Sequence, residues 1–175
     1  MSRAARVICD GRGPTRLILA LTGSLQTNRG ESIDLRLMEK EDETMVLDWQ
    51  SSQGARQYSR IKEAPNSINH REWMKKHLDD PSCLPIIVEF RNKATALLRL
   101  DHRSDNKVEV SILVKHNYQG LGIAKAALQL VRRIYQNRNL WAEIHPDNIS
   151  SLKAFSQAGF QKTKLAGWYK APFKM

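Results

Sequence analysis

The sequence has no long hydrophobic run. The apolar stretch at residues 17–21 is only five residues long, and polar Thr22 and Ser24 follow it. A membrane-spanning helix needs about 18 or more apolar residues, and the core of a secretory signal needs about 7–15. The sequence therefore predicts neither a membrane span nor a signal peptide, and we expect a cytoplasmic protein.

Cysteine is also scarce, because only Cys9 and Cys83 occur. Two cysteines cannot build a disulfide framework, and they show no spacing typical of metal ligands. We expect two reduced thiols and no bound metal.

Acidic residues are outnumbered. Eighteen Asp and Glu residues stand against 28 Lys and Arg residues, which leaves a formal charge of +10. A basic surface favours anionic partners such as nucleic acids, nucleotide cofactors and phosphorylated substrates. The basic residues are scattered here, whereas nucleic-acid-binding proteins concentrate them on one face. The pattern argues against a nucleic-acid partner and favours a small anionic molecule.

The amino-terminal segment differs in composition from the rest of the chain. Residues 1–30 are rich in arginine and glycine, and we interpret them as an extension with a linker at 23–30. Residues 31–175 have regular hydrophobic periodicity, and we interpret them as one domain.

This periodicity predicts an ordered series of helices and strands. Strands are expected at 33–37, 84–90, 95–100, 108–114, 140–144, 160–165 and 167–170. Helices are expected at 41–50, 69–79 and 121–137, with a last one from the turn at 146–148 through 158. The order predicts an α/β (α+β) fold with one mixed sheet. We expect antiparallel pairing early in the chain and parallel pairing where the long helix crosses over.

A glycine-rich loop lies between the strand at 108–114 and the long helix. Its residues are Gln119, Gly120, Leu121, Gly122, Ile123 and Ala124. Glycine lets the backbone approach a ligand closely, and the N–H groups at a helix start bind phosphate. Gln119 adds a side-chain donor. The sequence therefore predicts a pyrophosphate-binding loop, although a tight turn without a ligand would have the same glycines.

Two motifs resemble those of the GCN5-related N-acetyltransferases (GNAT). The first is the strand 110–114 followed by Tyr118 and the Gln-x-x-Gly-x-Ala loop. The second is the downstream series Asn148, Ser151, Phe155, Gly159 and Phe160. The resemblance implies a GNAT fold over 31–170, with helices flanking a sheet whose splayed strands form an acetyl-CoA cleft.

The resemblance also implies the cofactor contacts. Acetyl-CoA would lie between the strand ending at Val114 and the strand ending at Ile144. The backbone of Ile112, Leu113 and Val114 would pair with the pantetheine arm, and the Leu113 N–H would bind the oxyanion.

In the second motif, Asn148, Ser151 and Phe155 would contact the cofactor. Many family members have a tyrosine at the Phe155 position that protonates the leaving thiolate. Phenylalanine cannot do so, which leaves the general acid undecided.

The attacking amine must lose a proton, and the sequence offers more than one base. Glu109 lies on the cofactor strand, and His145 lies after the next strand. Either residue can accept a proton, directly or through water. Each also has a structural alternative, as a surface carboxylate or a turn histidine.

The segment 49–59 predicts the acceptor. It resembles part of the acetyltransferases that act on nucleotide-linked amino sugars, such as those of pseudaminic-acid biosynthesis, although an acidic residue is missing from the pattern. Arg56 suits a diphosphate, and Trp49 or Tyr58 suits stacking on uracil or a sugar. Residues 9–16 resemble the closing segment of a nucleotide-sugar hydrolase from the same pathway, so residues 1–30 could be its fused remnant.

These features predict an acetyl-CoA-dependent N-acetyltransferase that acts on a UDP-linked amino sugar for surface or flagellar glycan (nonulosonic acid) biosynthesis. Two alternatives stay open. One is an acetyltransferase for protein amino termini, of the ribosomal-protein type, and the other is a non-catalytic acyl-CoA-binding module. A homodimer is compatible with the sequence.

Overall fold

The computed structural model describes residues 25–27, 30–103 and 106–172. The hydrolase-like residues 9–16 and most of the predicted extension lie outside these ranges. The division at residue 30 therefore stays a prediction. The linker expected at 23–30 is not wholly irregular, because Leu25–Gln26 is a strand that pairs with Ser32 and Ile33.

Eight strands form one sheet in the order β1-β2-β3-β4-β5-β6-β8-β7. All neighbouring strands are antiparallel except β5 and β6. The strands are β1 (Leu25–Gln26), β2 (Ser32–Leu37), β3 (Cys83–Phe90), β4 (Lys93–His102), β5 (Lys107–Val114), β6 (Asn139–Glu143), β7 (Gln161–Lys162) and β8 (Trp168–Ala171). The predicted mixed α/β sheet is confirmed.

Four α-helices flank this sheet in the described part of the chain. They are α1 (Glu43–Ser51), α2 (Ser67–Asp79), α3 (Ile123–Ile134) and α4 (Ile149–Gln157). The helix expected at 121–137 is shorter at both ends. Gly122 has a left-handed φ of 83° and precedes the first helical residue, and the helix ends before Tyr135.

The carboxyl-terminal strands also differ from their predicted bounds. The expected strand at 160–165 shrinks to β7 (Gln161–Lys162), because the chain turns at 163–167. Gly167 has a φ of 75° and belongs to this turn rather than to β8. A strand does not accommodate a left-handed residue, so β8 begins one residue later.

The sheet buries both of its faces, and each face has its own core. One core holds the inward side of α3 and α4, with Val108, Val110, Leu140 and Ala142 from β5 and β6. The other core includes Val46 of α1 and Met74 of α2, which pack against Ile87 and Leu97 of the sheet. Side chains alternate along a strand, so β5 directs its even-numbered residues to the α3 face and its odd-numbered residues to the α1 face.

The parallel pair β5 and β6 is short. Its register contains three Cα pairs, the last of which joins Glu109 to Trp141. Strand β5 continues to Val114 and stays paired with β4 over that length. Among the described residues, no strand covers the edge of β5 that faces β6 beyond Glu109, which confirms the predicted splay.

Gly159 ends helix α4 with a φ of 87°, and a Cβ there would lie 2.0 Å from Nη1 of Arg132. That nitrogen donates a 2.8 Å hydrogen bond to the Ala158 carbonyl. Left-handed strain costs about 1–2 kcal/mol and loss of a charged hydrogen bond about 1.5 kcal/mol. Gly159→Ala is therefore expected to lower the free energy of unfolding by about 3 kcal/mol in urea titrations.

Gly54→Ala is the matched control, because Gly54 has a φ of 76° but no atom within 4 Å of its built Cβ. Gly54→Ala introduces only the backbone strain, so its free energy of unfolding should fall by about 1–2 kcal/mol. Equal losses in the two variants would show that the Arg132 contact adds no stability.

Candidate active site

The loop after β5 presents bare backbone at a helix start. Gly120 and Gly122 have φ angles of 79° and 83°, and no side chain caps the first turn of α3. A Cβ on Gly120 would meet no atom within 4 Å, so the space beside it is open. Unpaired N–H groups and the helix dipole together make such a terminus favourable for an anion.

The side chains of this loop serve the protein rather than a ligand. Nε2 of Gln119 donates to the Val114 carbonyl at 3.2 Å, which directs the amide back onto β5. Ile123 is buried in the core, and Leu121 packs against the same core. Ala124 is half-buried in the first turn of α3. What the loop offers to a phosphate is its main chain.

The register of β4 and β5 decides which N–H groups of β5 face the open edge. The Lys115 N–H donates to Thr95 at 2.9 Å, and the Arg103 N–H donates to Lys107 at 2.8 Å. Because hydrogen-bonding direction alternates along an antiparallel pair, Leu113, opposite Leu97, also points its N–H toward β4.

The assignment of Leu113 as oxyanion donor is therefore wrong. The residues on either side of it, Ile112 and Val114, direct their N–H groups to the open edge. Both were predicted as cofactor contacts, and both side chains pack beside the α3-side core.

Helix α4 begins beside the end of β6. Oδ1 of Asn148 accepts hydrogen bonds from the Ser151 N–H at 3.1 Å and from the Ser150 hydroxyl at 3.0 Å. Asn148 is thus the N-cap, which leaves its side-chain NH₂ as a donor. Phe155 is only 3% exposed and lies edge-on against Phe160, with 4.9 Å between ring centroids. Its ring is a core group.

Glu109 lies on the α1 side of the sheet at the point where β5 and β6 separate. Oε1 accepts a hydrogen bond from Nη2 of Arg60 at 2.9 Å, and Oε2 accepts one from Nη2 of Arg103 at 3.2 Å. The Glu109 side chain is 13% exposed. Arg60 also donates to Glu143 on β6, so one guanidinium spans the two strands. We call these four residues the arginine–glutamate cluster.

Burial lowers the Arg60 pKa, but the hydrogen bond to Glu143 and the charge of Glu109 outweigh it. The net result is a raised pKa. Arg60 therefore stays cationic at any physiological pH.

His145 follows β6 and contacts Tyr58, with 5.3 Å between ring centroids. Its Nδ1 accepts the Asp147 N–H at 3.2 Å. The Asp147 carboxylate lies 3.8 Å from the same nitrogen. Glu109 accepts hydrogen bonds from two arginines, so each of the two predicted bases has partners of its own at the splay.

The predicted acceptor residues separate in the structure. Trp49 is 2% exposed and packs in the α1-side core, so its indole cannot stack on a substrate, and its assignment to substrate binding is wrong. Tyr58 lies over the end of β6. Nε of Arg56 donates to the Ile61 carbonyl at 3.0 Å, beside a shallow cavity of about 450 Å³ lined by Gln50, Ser52, Arg56 and Lys62 among others.

Several charged and aromatic residues around the splay were missed by the sequence analysis. Nζ of Lys107 lies 4.4 Å from the ring centroid of Trp141 and 4.5 Å from that of Trp168. Lys170 also approaches Trp141. Arg60 stands two residues after Tyr58, but only the register of distant strands shows that it reaches Glu109 and Glu143.

The described ranges hold no group of three or more His, Cys, Asp or Glu side chains placed to bind a metal ion. Of the helices in that part of the chain, none has the length and hydrophobicity to cross a bilayer.

Solved structures share this fold at low sequence identity. A domain from Methanocaldococcus jannaschii covers 80% of this chain and 96% of its own, with a TM-score of 0.71 and 21% identity. The structure of Mycobacterium smegmatis RimJ in complex with CoA-disulfide aligns over 85% of this chain and 85% of its own, with a TM-score of 0.70 and 15% identity. Aminoglycoside acetyltransferase AAC(6')-Ib in complex with coenzyme A and kanamycin covers 79% of this chain and 94% of its own, with a TM-score of 0.69 and 14% identity. No curated protein matches the sequence.

The profile of the acetyltransferase (GNAT) domain matches residues 33–161, which is most of the chain. The match contains both predicted motifs, the splayed strands and most of the loop-and-helix framework. The predicted fold and the prediction of an N-acetyltransferase are thereby confirmed. The chain belongs to the acetyltransferase (GNAT) domain family.

Proposed function

We propose that the protein transfers an acetyl group from acetyl-CoA to the amine of an anionic small molecule, most specifically a UDP-linked amino sugar. The observation that carries the proposal is the open edge of β5. It leads from the bare backbone loop at 119–124 to a carboxylate at the splay.

The cofactor would use main-chain groups along this edge. Its pyrophosphate would bind the N–H groups at the start of α3, and its pantetheine arm would pair with Ile112 and Val114 as an added strand. Asn148 would offer its side-chain NH₂ from the opposite wall. These contacts require no side chain from the loop, in agreement with the hydrogen bond of Gln119 to β5 and the burial of Ile123.

The chemistry would be direct attack by the acceptor amine. Its nitrogen forms a bond to the thioester carbon, the carbonyl oxygen becomes an oxyanion held by the Ile112 N–H, and the C–S bond then breaks. Glu109 accepts the proton that the nitrogen loses, once Oε1 is free of Arg60. Phe155 cannot protonate the departing thiolate, so solvent would do so.

The acceptor would enter on the α1 side of the sheet. Residues 52–66 reach over the splay there, and Tyr58 and Arg56 belong to this segment. Cations surround the entrance: Arg60, Lys107 and Lys170 all lie near the Trp141 or Trp168 ring. A nucleotide-linked amino sugar offers phosphates to such cations and flat rings to the aromatic side chains.

The first prediction concerns the cofactor loop. Gly120→Asp should weaken acetyl-CoA binding at least tenfold in calorimetry, because a carboxylate would face the pyrophosphate. Gly120→Asn has nearly the same shape and tolerates a positive φ, but it carries no charge. It should bind clearly better than Gly120→Asp. Equal affinity in the two variants would show that the pyrophosphate does not bind at this loop.

The second prediction concerns the base. Glu109→Gln should lower kcat by about 10²–10⁴-fold, the usual contribution of a general base, with acetyl-CoA affinity retained. Glu143→Gln is the matched control, since it also removes an Arg60 partner but leaves Glu109 in place. A loss of kcat of the same size in both variants would indicate that the ion pairs matter and the base does not.

The third prediction concerns the acceptor. A screen of UDP-linked amino sugars, amino-terminal peptides and kanamycin, with thiol release as the signal, should give turnover with the UDP-linked amines. Turnover with peptides alone would contradict this assignment and would indicate that protein amino termini are the acceptors. Acetyl-CoA binding with no turnover on any of these amines would exclude all three classes of acceptor.

A further inference from the structure

Arg60 occupies an unusual position for an exposed arginine. Its side chain is 60% exposed, yet it bridges carboxylates on two strands that part from each other at that level. Glu109 is the last residue of β5 paired with β6, and Glu143 lies two residues beyond its partner Trp141. The guanidinium therefore stands across the opening through which an amine must reach the thioester.

The charges around Arg60 are not balanced. Ion pairs and cation–ring contacts connect three carboxylates and five cations around Glu109, and Asp147 adds a carboxylate beside His145. The carboxylates are Asp101, Glu109 and Glu143, and the cations are Arg60, Arg99, Arg103, Lys107 and Lys170. Without Arg60, the two glutamates beside the opening would present a cation-binding pair. With it, the entrance has a positive excess.

We propose that Arg60 determines the charge class of the acceptor, admitting amines that also carry phosphate and excluding polycationic amines. The inference rests on the proposed transfer to an amine at this opening.

A polycation must displace a guanidinium that is hydrogen-bonded to two carboxylates. A phosphate instead offers the guanidinium new acceptor oxygens, and arginine binds them readily. When Arg60 turns to a phosphate, Oε1 of Glu109 is released and can accept the proton of the amine. The phosphate of the substrate would thus free the Glu109 carboxylate to accept the proton from the amine of the same substrate.

The test compares two probes of opposite charge on protein saturated with acetyl-CoA. UDP represents the anionic part of the acceptor, and spermidine represents a polycationic amine. Calorimetry at one fixed, low ionic strength should show that wild-type protein binds UDP more tightly than spermidine. Arg60→Gln should weaken UDP binding and strengthen spermidine binding, changing the ratio of the two dissociation constants by about tenfold or more.

Arg103→Gln is the matched control. It makes the same chemical change and the same change in net charge, and it also removes a partner of Glu109, but Arg103 does not reach Glu143. Its ratio should stay close to that of wild type. Arg60→Glu, which inverts the charge, should favour spermidine further than Arg60→Gln does.

Three results would overturn the inference: wild-type protein that does not prefer UDP, an Arg60→Gln ratio equal to wild type, or an equal shift in Arg103→Gln. Thermal unfolding of each variant identifies any that fail to fold, and the exposed position of Arg60 predicts that none will. Failure of the proposed function would be seen separately, as absent acetyl-CoA binding or absent acetyl transfer in the wild-type protein.

Discussion

The site depends on the unequal pairing of β5. One edge of this strand pairs with β4 along its length, whereas the other edge pairs with β6 over only three residues. Strand β4 fixes the direction of every N–H and carbonyl in β5. Strand β6 separates from β5 after Glu109, so in the described part of the chain the main-chain groups that β5 directs to that side beyond Glu109 pair with no strand. Exposed strand edges recruit extended partners, and an extended pantetheine arm has the shape and hydrogen-bonding groups to be one.

In the proposed mechanism, the alternation of side chains along β5 would place the two substrates on different sides of the strand. Its main-chain edge faces the cleft, where the cofactor would lie. The side chains of Glu109 and its odd-numbered neighbours leave the sheet on the α1 side, where the 52–66 segment and the arginine–glutamate cluster are found. Two faces with separate cores hold this strand rigidly between α3 and α1. The same backbone would thus position both the proposed base, Glu109, and the proposed oxyanion donor, the Ile112 N–H.

Local signals in the sequence were sufficient for strands β2 to β6, the helix order and the glycine loop, because periodicity and glycine placement act over a few residues. They did not predict β1, and they misplaced the ends of β7 and β8. These local signals were insufficient where a residue's role depends on its contacts with residues far away in the sequence. The Leu113 assignment failed because only the β4 register tells which N–H faces outward. Trp49 lies on the buried side of α1 with Val46, and their helical spacing favoured a core position over the substrate-binding role that the 49–59 resemblance implied. Arg60 was missed because its partners are 49 and 83 residues away.

The central claim is that acetyl-CoA pairs with the open edge of β5, and residue-resolved amide hydrogen exchange tests it most directly. On adding acetyl-CoA, the N–H groups of Ile112 and Val114 should become strongly protected, because they gain a partner only then. Those of Ser111 and Leu113, which face β4, should change little. Protection of Leu113 with no change at Ile112 and Val114 would contradict the account.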